Sequence, residues 1–465
     1  MSKQKNEINM CSGPVLPSLL ALTIPMVLSS VLQLLFNAAD IVVVGNFAGK
    51  NSLAAVGSTT SLVNLMTNLF LGLSVSVNVL TARFSGAGDS KQISRTVHTA
   101  VSVSAICGFI LTVTGIVFAP NLLKLMKTPD DVLPLSSLYL RIYFTGMIPM
   151  MIFNFGSSVL RSRGDTRRPL IFLTAAGAVN LILNLIFVIP LKMDVMGVGL
   201  ATAISQFISA ALIIRCLSNE EGAFRFSFSK LGIDKSILAA IIRIGIPAGI
   251  QGVIFALSNV VIQSSVNSFG NIVMAGSAAS SSIEGFVWVS MNAISQGALT
   301  FMSQNIGAEK YSRLNKIVRT SCLFAAVTGL VLGNTAYFFS EKLLSIYDQR
   351  PDVIEAGRTR MFMVCCFYCT CGLMDCIVGN IRGMGYAVTP TVVSLLGACG
   401  IRIIWIFTVF RLPQFHNESM LFISYPVSWT ITFTVHVICF TFMRKKYPSA
   451  DREHSSSLSE NALSS

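Results

Sequence analysis

Leu22–Gly45 reads LTIPMVLSSVLQLLFNAADIVVVG. A run this apolar makes a helix long enough to cross about 30 Å of hydrocarbon. Two residues interrupt it, Pro25 in the first half and one carboxylate, Asp40, near the end. An ionised carboxylate at the centre of a bilayer costs about 3 kcal/mol or more. Asp40 must therefore reach either the headgroups at the helix end or a wet, protein-lined interior. The second is the expectation here: an ion or substrate site inside a helical bundle.

The rest of the chain has the same character. Of its residues 53% are hydrophobic and only 12% charged, about half the charge of a soluble domain. Apolar runs of spanning length lie near 16–44, 52–83, 96–119, 132–160, 169–190, 197–217, 237–266, 272–304, 317–339, 354–381, 390–410 and 419–443. The expected fold class is an all-α polytopic membrane protein with about 12 transmembrane helices. The ten-residue alternating segments of a membrane β-barrel are not seen. Several runs exceed what the hydrocarbon needs, so those helices must tilt, kink or extend into water.

The net charge of +13 does not point to nucleic acid, because the basic residues sit in short loops, where they set membrane orientation. Loops on the side of the N-terminus carry Arg83, Lys91, Arg95, Arg161, Arg163, Arg167, Arg168, Arg225, Lys230, Lys235, Lys310, Arg313 and Lys316, ending with Arg444, Lys445 and Lys446. The opposite loops carry fewer cations and include Asp130, Asp131, Asp348 and Asp352. The excess places both termini in the cytoplasm, which an even number of spans requires. No cleavable signal peptide is expected, since the first apolar run is too long for one. Eleven cysteines are present, five of them (Cys365, Cys366, Cys369, Cys371, Cys376) in one apolar run, where they read as small hydrophobes. Cys366-x-x-Cys369 lacks a matching ligand pair elsewhere, and His416 and His436 are too far apart to complete a metal cluster. Gly197-x-Gly199-x-x-Thr202 follows no strand and reads as close helix packing rather than a dinucleotide loop. Nucleotide-binding and hydrolase motifs are not found, so no enzyme, no bound cofactor and no ATP-driven transport are expected.

The longest polar interruption, Ser218–Ser236, divides the chain into two halves that match each other. Ile24-Pro25 recurs as Ile246-Pro247 and Asn37 as Asn259, both 222 positions on. Gly86-Ala87 recurs as Gly307-Ala308, and Arg161-x-x-Gly164-x-x-x-x-Pro169 as Arg382-x-x-Gly385-x-x-x-x-Pro390, both at 221. Six spans per half is an even number, so the repeats enter the membrane from the same side and are related by an axis along its normal. The expected organisation is a short N-terminus (1–14), an N-lobe of six helices (15–217), a cytoplasmic linker (218–236), a C-lobe of six helices (237–445) and a disordered tail (446–465).

Over roughly residues 14–445 the chain resembles the multidrug and toxic compound extrusion (MATE) transporters. The resemblance is carried by the proline-bearing first span with Asn37-Ala38-Ala39-Asp40, by Ser85-Gly86-Ala87-Gly88-Asp89 and by Gln304-Asn305-Ile306-Gly307-Ala308. Leu160-Arg161-x-x-Gly164-Asp165 and Ile381-Arg382-Gly383-x-Gly385 complete it. It implies export of organic, often cationic, compounds in exchange for Na⁺ or H⁺ across the inner membrane of a bacterium. The partners expected are small-molecule substrates and the lipid bilayer, with the chain acting as a monomer.

Polar residues within apolar runs are the candidates for that chemistry, because each needs a partner in the bundle. Asp40 lies roughly 36 Å along its span, with Asn37 one turn earlier on the same face. Tyr139, Asn154, Asn180, Asn184 and Thr202 are the other polar members of the first half. As a set they resemble the family's first-lobe cation site, or else they are interhelical glue worth about 0.6 kcal/mol each. Some family members have a second carboxylate where this chain has Asn184, so the site here carries less negative charge. In the second half, Glu284 and Asp375 are candidate ion or substrate ligands. Arg402 is expected to pair with one of them, because a lone buried charge is costly. Two rival functions are a flippase for a lipid-linked sugar, from the same superfamily, and a membrane receptor without transport.

Overall fold

The protein, seen in a computed structural model, is described at residues 8–126 and 128–451. The ends expected to form the start of the cytoplasmic N-terminus (1–7) and most of the disordered tail (452–465) lie outside the described residues. Twelve spans run through it. In the N-terminal half they are α1 (Val15–Phe47), α2 (Lys50–Gly86), α3 (Ser90–Leu125), α4 (Leu133–Thr145 with Met147–Ser162), α5 (Arg167–Val188) and α6 (Asp194–Ser218). In the C-terminal half they are α7 (Lys235–Asn267), α8 (Asn271–Gly307), α9 (Leu314–Phe338), α10 (Pro351–Cys365 with Tyr368–Gly383), α11 (Val388–Arg411) and α12 (Glu418–Arg444). The chain is thus a multi-pass helical membrane protein. Ten of the spans are single helices by length and apolarity, and α4 and α10 are pairs bent by 46° and 43°.

Helix boundaries follow ordinary capping chemistry. The Asp89 side chain accepts from the Gln92 N–H at the start of α3, and Asp234 accepts from the N–H groups of Ser236 and Ile237 at the start of α7. The turns before α2 and α8 need a residue with φ near +90° and an extended ψ, a region in practice reserved for glycine. Gly49 (φ 91°) and Gly270 (φ 90°) supply it, 221 positions apart. The internal repeat is therefore visible in the backbone as well as in the sequence.

Both described ends lie at one face, called here the terminal face. The Met10 carbonyl accepts from Asn305 Nδ2 at 3.0 Å, and the Asp451 carboxylate accepts from Ser312 N–H and Oγ. Residues 446–451, expected to begin a disordered tail, are docked there. The Tyr447 hydroxyl donates to the Met384 carbonyl at 3.0 Å, and its ring lies 5.7 Å from that of Tyr311.

Each lobe has its own apolar core. One is built on Val77, Leu111, Phe144 and Phe155, the other on Met291, Met374, Phe422 and Trp429. Two helices cross between the lobes. The first half of α1 buries Leu19, Leu22 and Met26 with Phe301, Ile306 and Ile381 of the C-terminal half, whereas Val43 and Val44 pack with Tyr139 and Val198 of the N-terminal half. In α7, Ile237, Ile241 and Ile244 join the N-terminal core, and Ile262 and Val266 join the C-terminal one. Pro25 and Pro247 lie inside these two crossing helices. The division at 217/237 is therefore one of chain order, and packing exchanges the first turns of α1 and α7.

The hydrogen bonds that join the lobes cluster towards the terminal face. Asn78 of α2 and Thr300 of α8, 222 positions apart, bond each other through Nδ2–Oγ1 at 3.0 Å and Oγ1–Oδ1 at 3.3 Å. Equivalent residues of two repeats can meet only on the axis that relates them, so this pair marks the pseudo-twofold. Closer to the face, a Cβ on Gly86 would overlap the backbone of Gln304, and one on Gly307 the backbone of Arg83. Towards the opposite face, Asn37 of α1 and Asn259 of α7, another pair at the repeat offset, are exposed.

This packing makes a prediction. Cys11 is half-buried at the terminal-face seam, where its Sγ donates to the Gln304 carbonyl at 3.7 Å. Burial raises its thiol above the ordinary value, against the pull of Arg313 and Lys310. Gly86→Leu should part the seam, relieve that burial and leave the two cations in place, so the thiolate forms at lower pH. Alkylation of Cys11 near neutral pH, followed by peptide mass spectrometry, should then speed up about tenfold. An unchanged rate would mean that the glycine contact does not close this face.

Candidate functional site

The first-lobe site is assembled where α1, α5 and α6 approach. Gly177 of α5 lets the ring of Phe36 lie against the helix, where any Cβ would overlap it. One turn further along α1 and two along α5, Asn184 Nδ2 donates to the Asp40 carboxylate. The same nitrogen lies 3.3 Å from Asn180 Oδ1, and Asn180 Nδ2 lies 3.4 Å from Thr202 Oγ1 on α6. Asn180 and Asn184 are buried and Asp40 is half-buried. The structure thus brings together four of the candidates named from the sequence, Asp40, Asn184, Asn180 and Thr202, in one chain of polar contacts.

Tyr139 of α4 belongs to the same region. It is buried, its ring lies 5.8 Å from that of Tyr143, and the Asp40 charge acts on both phenols. Tyr143 was not among the candidates; its position four residues after Tyr139, on the same helix face, was the available signal. Two expected members do not join. Asn154 turns its Nδ2 back to the Met150 carbonyl of its own helix at 2.9 Å, and Asn37 is exposed, with none of these contacts among the described residues.

One atom at this site has no partner. Asn184 Oδ1 is buried and accepts no hydrogen bond from any described residue. A buried acceptor without a donor costs about 1–3 kcal/mol. Beside a carboxylate, this is a donor set suited to a small cation: one charged oxygen, one neutral carbonyl oxygen, and nearby hydroxyl and amide oxygens. Among the described residues no cluster of three or more His, Cys, Asp or Glu side chains could hold a metal ion.

The second-lobe candidates are arranged differently from the expectation. Arg402 does not pair with Glu284. Arg360 does, through a bidentate ion pair with Nε–Oε1 at 2.8 Å and Nη2–Oε2 at 2.9 Å. Ser280 Oγ donates to the same carboxylate at 3.0 Å, and Arg360 Nη1 donates to Ser277 Oγ at 2.7 Å. Arg360 and Glu284 are each 8% exposed, so this is a buried, bidentate ion pair in which three hydrogen bonds reach the Glu284 carboxylate. Arg402 instead donates from Nε to Ser428 Oγ at 2.8 Å and lies 4.1 Å above the ring of Tyr425. That stacking replaces the carboxylate expected for it. Asp375 is half-buried on α10 and feels the charges of both Arg382 and Arg402. Neither arginine comes within ion-pair distance of it, and Arg382 donates to Gln251 Oε1 at 2.6 Å.

The MatE family profile matches residues 25–186 and 247–408, two stretches offset by 222 positions at both ends. The chain is 24% identical over 430 residues to the probable multidrug resistance protein YoeA of Bacillus subtilis, covering 91% of this chain and 93% of that one. It is 25% identical over 379 residues to a FAD transporter of Shewanella oneidensis, covering 80% and 82% respectively. Among solved structures it is similar to MATE in complex with MaL6, with a TM-score of 0.88 at 18% identity over 96% of this chain and 99% of that one. It is also similar to the outward-facing conformation of a multidrug resistance MATE family transporter, with a TM-score of 0.87 at 18% identity over 96% and 100%.

Proposed function

The chain belongs to the MatE family, and on that premise we propose that it is a secondary antiporter that exports organic, cationic compounds in exchange for Na⁺ or H⁺. The observation that carries this reading is the unpartnered Asn184 Oδ1 beside the Asp40 carboxylate. A cation bound here supplies the partner that Asn184 Oδ1 lacks and neutralises the Asp40 charge. Once Asp40 is neutralised by Na⁺ or a proton, it no longer attracts a cationic substrate, and that competition for one carboxylate couples the two fluxes. Glu284 is left out of this scheme, because its charge is already paired with the buried Arg360.

The excess of basic residues in the loops of the terminal face supports a cytoplasmic position for that face. The protein works in the plasma membrane as a monomer, without enzymatic activity or a cofactor other than the coupling ion. Relatives named as multidrug resistance proteins support an adaptable substrate range. The relative named as a FAD transporter makes a flavin dinucleotide the second substrate class to assay.

The test is transport of a fluorescent cationic dye in proteoliposomes with a Na⁺ gradient and a pH gradient imposed separately. Dye movement driven by one of them is expected and names the ion. Movement that ignores both gradients would overturn antiport.

A further inference from the structure

We propose that the terminal face of the N-lobe carries a preformed site for the phosphate headgroup of an anionic phospholipid, built from the start of α3 and the linker 218–236. A cavity of about 490 Å³ lies between them, lined by Lys91, Arg95, His98, Lys230 and Asp234. Three cations face one carboxylate. That carboxylate is already committed, capping α7 and pairing with Arg95 Nη1 at 3.4 Å. The Asp234 carboxyl is held below its ordinary value chiefly by the Ser236 hydroxyl and the Ile237 N–H, so it stays ionised and keeps Arg95 oriented. His98 is not a further donor: its Nδ1 contacts the Ser94 carbonyl at 2.7 Å and its Nε2 accepts from the Ser227 N–H.

The linker forming the outer wall is pinned rather than loose. Phe224 and Phe226 are buried, the Asp234 N–H donates to Thr99 Oγ1, and Ser102 Oγ donates to the Gly232 carbonyl. Its other large apolar residues are exposed, although the Phe228 ring also meets Phe226 edge-on at 4.9 Å and Ile233 lines the cavity. Phe228 is 71% exposed, Leu231 52% and Ile233 42%. Three exposed hydrophobes beside three cations make the pattern of an interfacial segment, with rings and aliphatic chains among the acyl chains and charges at headgroup level. Depth agrees. With 36 residues, α3 is about 54 Å long, well beyond the roughly 30 Å of hydrocarbon, so its first turns lie at the headgroups. Free phosphate would use the cations but leave Phe228, Leu231 and Ile233 unexplained, so the occupant is a lipid.

The test is native mass spectrometry and thermal melting of the full chain in phosphatidylcholine, with and without phosphatidylglycerol. One retained phosphatidylglycerol per chain and a melting temperature raised by several degrees are expected. The triple variant Lys91→Gln, Arg95→Gln, Lys230→Gln should weaken retention about tenfold or more, whereas Lys342→Gln on the opposite face should not. If the triple variant fails to fold, Lys230→Gln alone and Phe228→Ser provide the same readout from the linker. Undiminished retention in the folded variants would overturn the site. Equal protection by inorganic phosphate without lipid would overturn the assignment to a lipid.

Discussion

Asp40→Asn is expected to abolish ion-driven transport, leaving dye flux at the level of empty liposomes, while the folded protein remains in the membrane. The substitution is nearly isosteric. Asn184 Nδ2 donates to a carboxylate oxygen of Asp40, and an amide oxygen at position 40 can accept the same hydrogen bond, so the α1–α5 contact survives. What is lost is the negative charge, the one property that a polar contact between helices does not need and that a coupling-ion site requires. The two readings left open by the sequence therefore separate in one experiment. Polar glue worth about 0.6 kcal/mol gives near-normal transport and a slightly shifted melt; a coupling site gives a normal melt and no coupled transport. Retained gradient-driven flux in Asp40→Asn would exclude Asp40 from coupling.

The largest stability effect should come from the other lobe. Arg360→Met leaves Glu284 buried without its cation, and removing one partner of a buried pair costs about 3–5 kcal/mol. The variant should show a strongly lowered melting temperature and little monodisperse protein in detergent. The double variant Glu284→Gln, Arg360→Met removes both charges and should recover most of that loss. It also tests function. Because the Glu284 charge is paired with Arg360 in the native protein, the folded double variant should keep its gradient-driven flux. Loss of flux with normal folding would return Glu284 to the transport site. Arg360→Lys should rescue poorly, since an ammonium cannot reproduce the two parallel bonds to Glu284 together with the bond to Ser277.

Sequence alone determined the helical membrane fold, the twelve spans and the two-fold internal repeat, and it singled out Asp40 as a candidate. These are properties of periodicity, length and the cost of charge in hydrocarbon, and each is written locally along the chain. It also held a signal that went unread: Asn78 and Thr300 stand at the repeat offset, and both are polar within apolar runs. The tertiary structure decided which polar groups meet. Asp40 finds Asn184 across 144 positions and Glu284 finds Arg360 across 76, and neither choice follows from spacing within a helix. Arg402 takes no carboxylate partner because the rings of Tyr425 and Trp429 and the Ser428 hydroxyl surround its guanidinium instead. The exchange of the first turns of α1 and α7 between the lobes likewise depends on how two bundles pack across an axis. Hydrophobicity tells a helix that it must be covered; only the assembled shape tells it by which neighbour.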